Sequence, residues 1–226
     1  MTDVTAHPAF IEPPLPHEPS HIGPRLRAQR EQLGLSLREL ARRIGVSASL
    51  ISQIERDKVN PSVSTLYSLV RELGLGMGDL FSTDTELSGD TAPVAPAAVA
   101  PTPLVTPERR ALINLESGVT WERLTAASDP GIEFLRVVYD VGSESCPEDS
   151  LIRHGGKEYG YVVAGRLGVQ VGFERYELCP GDSISFDSSS PHRLWTIGDS
   201  PAEAIWVVAG RQSDGRLQAS PGGPAA

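Results

Sequence analysis

The sequence feature that most restricts the fold of this chain is a series of short helical patterns in residues 21–81, several of them bounded by capping residues. Two of the patterns place apolar side chains at i, i+3, i+4 and i+7, which forms one stripe along a helix. The two stripes are Leu37, Leu40, Ala41 and Ile44, and Leu66, Leu69, Val70 and Leu73. Ser36 and Ser47 stand at expected helix N-caps. Gly45 and Gly74 stand at expected helix ends, and Asn60-Pro61 at a further helix start.

Two more helices complete a predicted all-α bundle of about five helices. Ile22, Leu26 and Leu33 are assigned to the first helix, and Leu80 and Phe81 to a short last one. The segment is also basic, because its nine Arg and Lys exceed its six Asp and Glu, a net charge of +3 within a chain of −9. Phosphate contacts depend on the local field, so an acidic second domain does not exclude DNA binding.

The pattern changes at residue 82. Residues 82–107 are dominated by Ala, Pro, Thr and Val without an amphipathic period, which predicts an extended, semi-rigid linker. Residues 1–20 and 213–226 also lack a pattern and are predicted to be disordered tails. The predicted domains are therefore residues 21–81 and 108–212, the first being a separate domain on a tether.

Residues 108–212 contain short β-rich runs separated by turn residues such as Ala164-Gly165. The runs are Ile132–Val141, Glu158–Val163, Leu167–Phe173, Ser183–Phe186 and Ile205–Val208. Many short strands at this spacing indicate an antiparallel sandwich or barrel. The predicted fold class is an all-α bundle followed by an all-β domain.

Small and apolar residues of the first domain fit a helix-turn-helix. Ala41 stands where two helices touch, Gly45 in the turn, and Ile51 and Ile54 on the inward side of the second helix. The whole stretch Leu33–Phe81 resembles the Cro and lambda-repressor class, the xenobiotic-response-element family. The resemblance implies that the second helix of the pair enters the major groove with its N-terminal residues toward the base edges.

This placement predicts two groups of DNA-contacting residues. The predicted base readers are Ala48, Ser49, Ser52 and Gln53. Gln53 can pair bidentately with adenine, and Ala48 can touch a thymine methyl group. The predicted phosphate contacts are Ser47, Arg43, Lys58 and Asn60. The alternative for each is a solvated surface residue. Leu37 replaces a glutamine that contacts the DNA backbone in many family members, so that contact is not expected here.

Two segments of the second domain resemble the paired motifs of the cupin barrel, a double-stranded β-helix of the jelly-roll type. Residues 153–172 read RHGGKEYGYVVAGRLGVQVG, and residues 179–199 read CPGDSISFDSSSPHRLWTIGD. Family members commonly bind a divalent metal through His-x-His and Glu of the first motif and His of the second. His154, Glu158 and His192 match the second histidine, the glutamate and the last histidine. Ile152 replaces the first histidine, and Thr196 stands where Asn is frequent.

Two imidazoles and one carboxylate suffice for a facial triad holding Fe(II), or for zinc completed by water. A divalent ion, Fe, Zn, Mn or Ni, is therefore a candidate cofactor of His154, Glu158 and His192. The alternative is that these residues bind a small-molecule effector directly or hydrogen-bond one another. Further pocket candidates are Arg153, Tyr161, Arg193 and Trp195, of which some must face outward because alternate strand residues point to opposite faces.

The domain order resembles bacterial regulators in which a barrel binds a metabolite and alters operator affinity. We expect a sequence-specific transcriptional regulator, more often a repressor, that binds double-stranded operator DNA and a small-molecule effector. A homodimer is expected, since paired recognition helices reach successive half-sites. If they line the pocket, replacing either His154 or His192 with Ala is expected to abolish the effector response and to leave basal operator binding nearly intact.

Two alternatives differ in class. One is an iron-dependent oxygenase resembling hydroxypropylphosphonate epoxidase, with which the His154, Glu158 and His192 spacing agrees and whose helix-turn-helix would be accessory. The other is a barrel used only for dimerisation. The regulator is favoured because an enzyme has no evident need for Gln53 and Lys58 in a recognition helix and its flank.

The remaining features bear on location. No apolar run approaches the roughly 18 to 20 residues that cross a bilayer, so no membrane partner is expected. Residues 1–20 lack the basic start and apolar stretch of a secretion signal, which predicts a cytoplasmic protein. Cys146 and Cys179 form no CxxC pair and are interpreted as packing residues.

Overall fold

A computed structural model describes residues 21–81, 103–129 and 131–210, and confirms a helical domain followed by a β-sheet domain. The predicted tails and residues 82–102 of the predicted linker lie outside the described residues. The last linker residues are described, and Pro107–Arg109 form one 3-10 turn that leads into the sheet domain.

The helical domain consists of four α-helices and a 3-10 helix. These are α1 (Gly23–Gln32), α2 (Leu37–Ile44), α3 (Ala48–Ile54), α4 (Val63–Leu73) and the 3-10 helix Met77–Phe81. Ser36 accepts a hydrogen bond from the Glu39 backbone N–H, and Ser47 one from that of Leu50, both at 3.1 Å, so both predicted N-caps are confirmed. Gly45 and Gly74 end α2 and α4 with φ of 76° and 65°.

Three details of the helical domain differ from the sequence prediction. The N-cap of α4 is Ser62, which accepts from the Thr65 N–H at 3.2 Å, so the helix begins after Asn60-Pro61 rather than at it. Leu33 is 48% exposed and lies outside the core, because α1 ends at Gln32. The expected fifth helix is the 3-10 turn, whose Leu80 and Phe81 are buried as predicted.

Within residues 103–129 and 131–210, the second domain pairs nine strands in two antiparallel sheets. The strands are β1 (Leu112–Leu115), β2 (Val119–Arg123), β3 (Ile132–Tyr139), β4 (Lys157–Ala164), β5 (Leu167–Val171), β6 (Glu174–Leu178), β7 (Ser183–Asp187), β8 (His192–Thr196) and β9 (Ala202–Ala209). The first sheet has the order β1-β2-β3-β9-β4-β7, and the second the order β6-β5-β8. Alternate residues of β4 and β9 are buried, so each strand presents one face to the barrel interior.

The two domains contact each other. The Glu116 backbone N–H donates to the Pro61 carbonyl at 2.9 Å. The guanidinium of Arg123 lies 6.0 Å from the centre of the Phe81 ring. A helical domain on a tether was expected, and the structure instead packs it against the barrel. Part of the contact comes from a second face of α4, whose Tyr67 ring meets Trp121 of β2 edge-on at 5.7 Å. Ser64, Tyr67, Ser68 and Arg71 of this face also line a cleft of about 940 Å³ between the domains.

Candidate functional site

The predicted readers of the recognition helix α3 lie on the part of its surface that is not fully buried, where Ala48 also packs against the edge of the core. Ile51 and Ile54 are 1% exposed and hold the helix against the rest of the bundle. The four predicted readers lie on the remaining surface, half-buried at Ala48, Ser52 and Gln53 and exposed at Ser49. Because these positions are spaced i, i+1, i+4 and i+5, they form one face of the helix. This face has the geometry that major-groove reading needs.

The predicted phosphate contacts beside α3 are not equally available to DNA. The guanidinium of Arg43 donates to Glu39 and to Glu72, each at 2.8 Å, so its predicted phosphate contact competes with two carboxylates. Hydrogen bonds from Arg42 and Arg43 lower the pKa of the Glu39 carboxyl to about 2. The predicted contacts Lys58 and Asn60 are exposed.

Sequence reasoning missed two arginines near the recognition helix. Arg38 is exposed at the start of α2. Arg56 donates through Nε to the Ser52 carbonyl at 2.9 Å, which fixes its guanidinium beside the end of α3. The signal was present, because Arg56 follows Gln53 by three residues and Arg38 belongs to the same basic segment. We add both to the candidate phosphate contacts.

Inside the barrel, the structure brings together the three predicted ligand residues. Glu158 lies on β4, His192 begins β8, and His154 lies in the loop before β4. Glu158 Oε1 is 3.0 Å from His154 Nε2 and 3.2 Å from His192 Nε2. The side chains are 4%, 8% and 3% exposed respectively, so water screens their interaction little.

The outer atoms of the cluster are fixed by hydrogen bonds. His154 Nδ1 lies 3.0 Å from the Gly155 carbonyl, and His192 Nδ1 lies 2.9 Å from the Ser190 carbonyl. A carbonyl oxygen only accepts, so each Nδ1 carries the proton. In a neutral imidazole, Nε2 is then an acceptor. With both rings neutral, two nitrogen lone pairs and a carboxylate oxygen face one another, and a proton or a metal ion between them removes the repulsion.

The donor set fits a metal ion. Ligand atoms about 2.1 Å from an ion lie roughly 3.0 to 3.4 Å from one another in octahedral or tetrahedral geometry. The two distances from Glu158 Oε1, 3.0 and 3.2 Å, agree with this range, and all three ligand atoms lie within 4.8 Å of one another. Two Nε2 atoms and one carboxylate oxygen are also the chemistry of a facial triad. His154, Glu158 and His192 could thus hold a divalent ion, leaving its remaining positions to water or a ligand.

Glu158 is positioned by residues around it. Trp206 of β9 donates through Nε1 to Glu158 Oε2 at 2.7 Å. Burial acts to raise the pKa of the Glu158 carboxyl, but the hydrogen bond from His154 and the charges of His192 and His154 outweigh it, and the pKa lies below its ordinary value. Sequence reasoning missed Trp206. Its signal is Gly160, which pairs with Trp206 across the sheet and whose absent Cβ would lie 2.1 Å from the indole ring.

The cluster borders a small, mostly apolar cavity of about 30 Å³. Its walls include Trp121, Leu135, Val137, Ile152 and Leu194. Ile152, which replaces the first histidine of the motif, is 5% exposed and exchanges two backbone hydrogen bonds with His192. A cavity of this size holds one or two waters or the free positions of an ion, and it is smaller than the roughly 300 Å³ of the smallest typical ligand pockets.

The weaker pocket candidates lie elsewhere. Tyr161 is 50% exposed on the outward face of β4. The Arg193 guanidinium stacks over the Trp195 ring at 4.8 Å and pairs with Glu144, and neither Arg193 nor Trp195 lines the cavity. Arg153 lines the interdomain cleft. The assignment of Tyr161, Arg193 and Trp195 to the pocket was therefore wrong, because alternate strand residues face outward.

One wall of the cavity comes from the helical domain. The ring of Tyr67, on α4, stacks on the His154 ring with centroids 4.6 Å apart and an interplanar angle of 18°. The same ring meets Trp121 edge-on at 5.7 Å. Sequence reasoning did not identify Tyr67, since its helical spacing shows only that it lies off the apolar stripe of α4.

Comparison with known proteins agrees with this two-part construction. Residues 26–80 match the family profile described as "Helix-turn-helix", and residues 135–208 match the profile described as "Cupin domain". The HTH-type transcriptional regulator PuuR of Escherichia coli is 30% identical over 75% of this chain and 84% of its own length. The HTH-type transcriptional regulator SutR of Escherichia coli is 26% identical over 74% of this chain and 82% of its own.

A solved structure shows a similar arrangement. It is that of an HTH_3 family transcriptional regulator from Vibrio cholerae, which is 25% identical, covers 84% of this chain and 95% of its own, and superimposes with a TM-score of 0.57. Within the part of the chain that is described, there is no helix long and apolar enough to span a membrane.

Proposed function

Because this chain belongs to the helix-turn-helix transcriptional regulators that carry a C-terminal cupin domain, we propose that its barrel binds a small effector and thereby alters operator affinity. The observation that carries the proposal is the buried cluster of His154, Glu158 and His192, which lies in a barrel that contacts a DNA-reading domain. Such a cluster offers polar groups to a bound ion or ligand in an otherwise apolar barrel. Repression is the sign we propose, in a cytoplasmic protein.

The recognition helix would read the operator through Ala48, Ser49, Ser52 and Gln53. Gln53 is the residue with a directional base contact, since its amide both donates and accepts. The Ser47 cap, Lys58, Asn60, Arg38 and Arg56 would hold phosphates, which fixes the register of α3 without reading sequence. Arg43 would join them only by exchanging Glu39 and Glu72 for phosphate.

The barrel would hold a divalent ion, Fe, Zn, Mn or Ni, between His154 Nε2, Glu158 Oε1 and His192 Nε2. Such an ion would supply open coordination positions for an oxygen or nitrogen donor of the effector. The protein's part is to fix the two imidazoles through the Gly155 and Ser190 carbonyls and the carboxylate through Trp206.

A homodimer would form through the outer face of the larger sheet. Five apolar side chains on this face are 37 to 50% exposed, namely Ile132, Phe134, Tyr159, Tyr161 and Val163. They lie on neighbouring parts of the sheet, because Phe134 pairs with Val207, and Val207 pairs in turn with Tyr159. A contiguous exposed apolar patch is a typical interaction site. Pairing two barrels there would bring two recognition helices to one operator.

The oxygenase alternative is favoured by one observation, the two-His-one-Glu geometry itself. The relatives PuuR and SutR, matched over most of this chain, are transcriptional regulators, and this favours regulation. A regulator needs helix α3 to bind DNA, whereas an oxygenase does not.

One experiment separates them. The purified protein is analysed for metal and used to select fragments from genomic DNA, and fluorescence anisotropy then measures affinity for the selected site and for a scrambled duplex. A regulator binds the selected site at least 1000-fold more tightly than scrambled DNA. Iron content with oxygen-dependent turnover and without site-specific DNA binding would overturn the proposal.

A further inference from the structure

We infer that Tyr67 of the helical domain covers the barrel's ligand site, and that a ligand enters by taking the place of the Tyr67 ring on His154. This inference rests on the proposed function, because it describes how the same barrel site is opened and connected to DNA binding. Its basis is a residue from the DNA-reading domain that forms a wall of the cavity in the other domain.

The size of the cavity is the first step. A space of about 30 Å³ beside His192 and Glu158 admits water but no metabolite. The interdomain cleft, by contrast, encloses about 940 Å³ and reaches His154 and Ile152, which also border the barrel site. Tyr67 lines both spaces, so its ring stands between the cleft and the inner cavity. Moving this one ring joins them.

The contacts of the ring indicate what can replace it. The Tyr67 ring stacks on the face of the His154 ring and meets Trp121 edge-on, at an interplanar angle of 61°. Both are geometries that favour a planar π-system. A compact planar molecule about the size of phenol would therefore make the same contacts without further change in the barrel. Its polar end would point toward the His154, Glu158 and His192 cluster.

The position of Tyr67 on α4 explains the connection to DNA. Leu66 and Leu69, its neighbours in the helix, are 0% and 1% exposed in the bundle core that also holds α3. Helices α2, α3 and α4 therefore move together when α4 moves. If a ligand displaces Tyr67, α4 loses its stacking contact with the barrel. The recognition helix is then no longer held in one orientation relative to the barrel, or relative to the second subunit of the dimer. A ligand shifts this equilibrium by its preference for the released state.

The test uses p-cresol, which is the tyrosine side chain as a free molecule, and the full chain throughout. Calorimetry compares the parent, Tyr67→Ala, Tyr67→Phe and the matched control Ser68→Ala, which lies on the same face of α4. Tyr67→Ala is expected to bind p-cresol at least 10-fold more tightly than the parent, while Tyr67→Phe and Ser68→Ala match the parent. Adding His154→Ala to Tyr67→Ala removes the stacking partner and weakens p-cresol binding by about 2- to 13-fold.

Anisotropy on the selected operator provides the second measurement. Tyr67→Ala is expected to change operator affinity by about 5- to 150-fold, in the same direction as p-cresol changes that of the parent. Tyr67→Leu, which keeps apolar surface at the interface without a planar ring, replaces Tyr67→Ala if the latter does not fold.

The results separate the two proposals. If p-cresol binds the open variant no better than Ser68→Ala, Tyr67 does not cover a ligand site and the inference is overturned. If p-cresol binding improves but operator affinity stays at the parent value, the connection to DNA is refuted. If the parent binds no DNA specifically, the proposed function fails, and the calorimetry alone still decides whether Tyr67 covers the site.

Discussion

Replacing Glu158 by glutamine should stabilise the metal-free protein and abolish its metal binding. With both imidazoles neutral, Glu158 Oε1 of the parent faces two Nε2 lone pairs at 3.0 and 3.2 Å. In Glu158→Gln, the amide oxygen keeps the place of Oε2 and continues to accept from Trp206. The amide nitrogen takes the place of Oε1, and its two N–H groups point at the two imidazole nitrogens. Three converging acceptors become one donor between two acceptors.

The magnitude follows from the contacts made. Two buried hydrogen bonds contribute about 0.5 to 1.5 kcal/mol each to the free energy of unfolding. For a domain of about 100 residues, each kcal/mol moves the midpoint of thermal unfolding by about 4 to 8 °C. The variant should therefore unfold at least about 4 °C above the parent in a chelator. A metal ion at about 1,000 times its dissociation constant stabilises the parent by about 4.1 kcal/mol, which exceeds the roughly 1 to 3 kcal/mol from the two hydrogen bonds, and stabilises the variant, which lacks the carboxylate, by nothing. Adding metal should then reverse the order of the two midpoints.

Thermal unfolding followed by circular dichroism tests this, with EDTA or with Zn²⁺, Ni²⁺, Mn²⁺ or anaerobic Fe²⁺ at pH 8, above the ordinary titration range of histidine. Glu174→Gln is the matched control, because Glu174 is an exposed glutamate of β6. This substitution should change the free energy of unfolding by no more than about 0.5 kcal/mol, with or without metal. A Glu158→Gln protein that unfolds below the parent in EDTA would refute the lone-pair argument. A parent that no ion stabilises would refute the metal site.

Three further predictions concern the recognition helix, the dimer and the support of Glu158. Gln53→Ala should lose about 1 to 3 kcal/mol on the selected operator only, whereas Lys58→Ala should weaken all DNA and lower the salt slope by about one, both measured by anisotropy at several salt concentrations. Tyr159→Glu should yield monomers in light scattering, while Tyr176→Glu, which is similarly exposed on the other sheet, stays dimeric, and equal behaviour of both would exclude the proposed face. Gly160→Ala should destabilise the barrel by about 1 to 3 kcal/mol in denaturant unfolding, since its Cβ lies 2.1 Å from the Trp206 ring. It should also weaken metal binding, and unchanged binding would show that the indole does not position the carboxylate.

Local signals predicted the helical domain well because each acts within a few residues. Ser36, Ser47, Gly45 and Gly74 bound their helices as expected, since a cap needs only the adjacent backbone. The start of α4 was placed too early, because proline preceded the true cap, Ser62, by one residue. The sequence also predicted that His154, Glu158 and His192 lie together. That prediction came from the resemblance to the cupin motifs and not from periodicity.

The unpredicted parts depend on contacts between distant segments. Strand β6 carries charged residues at three of its five positions and buries only Leu178, so its pairing with β5 is visible only in three dimensions. The outward direction of Tyr161 depends on the register of β4, which one residue of slip would reverse. Tyr67 and Trp206 reach the cluster from another domain and another strand, and no local pattern marks either of them as part of a site.

The packing of the two domains also separates two residues that sequence reasoning treated alike. Replacing either His154 or His192 was expected to leave basal operator binding intact, because the helical domain was taken as independent. His192 is contacted by Phe186 and Glu158, both of the barrel, so His192→Ala should still leave basal affinity near the parent value. His154 carries the Tyr67 ring, so His154→Ala removes a contact between α4 and the barrel and should move basal operator affinity in the direction that Tyr67→Ala does. Anisotropy without effector measures both. Equal basal affinities for the two histidine variants would mean that the stacked pair does not hold the DNA-reading domain.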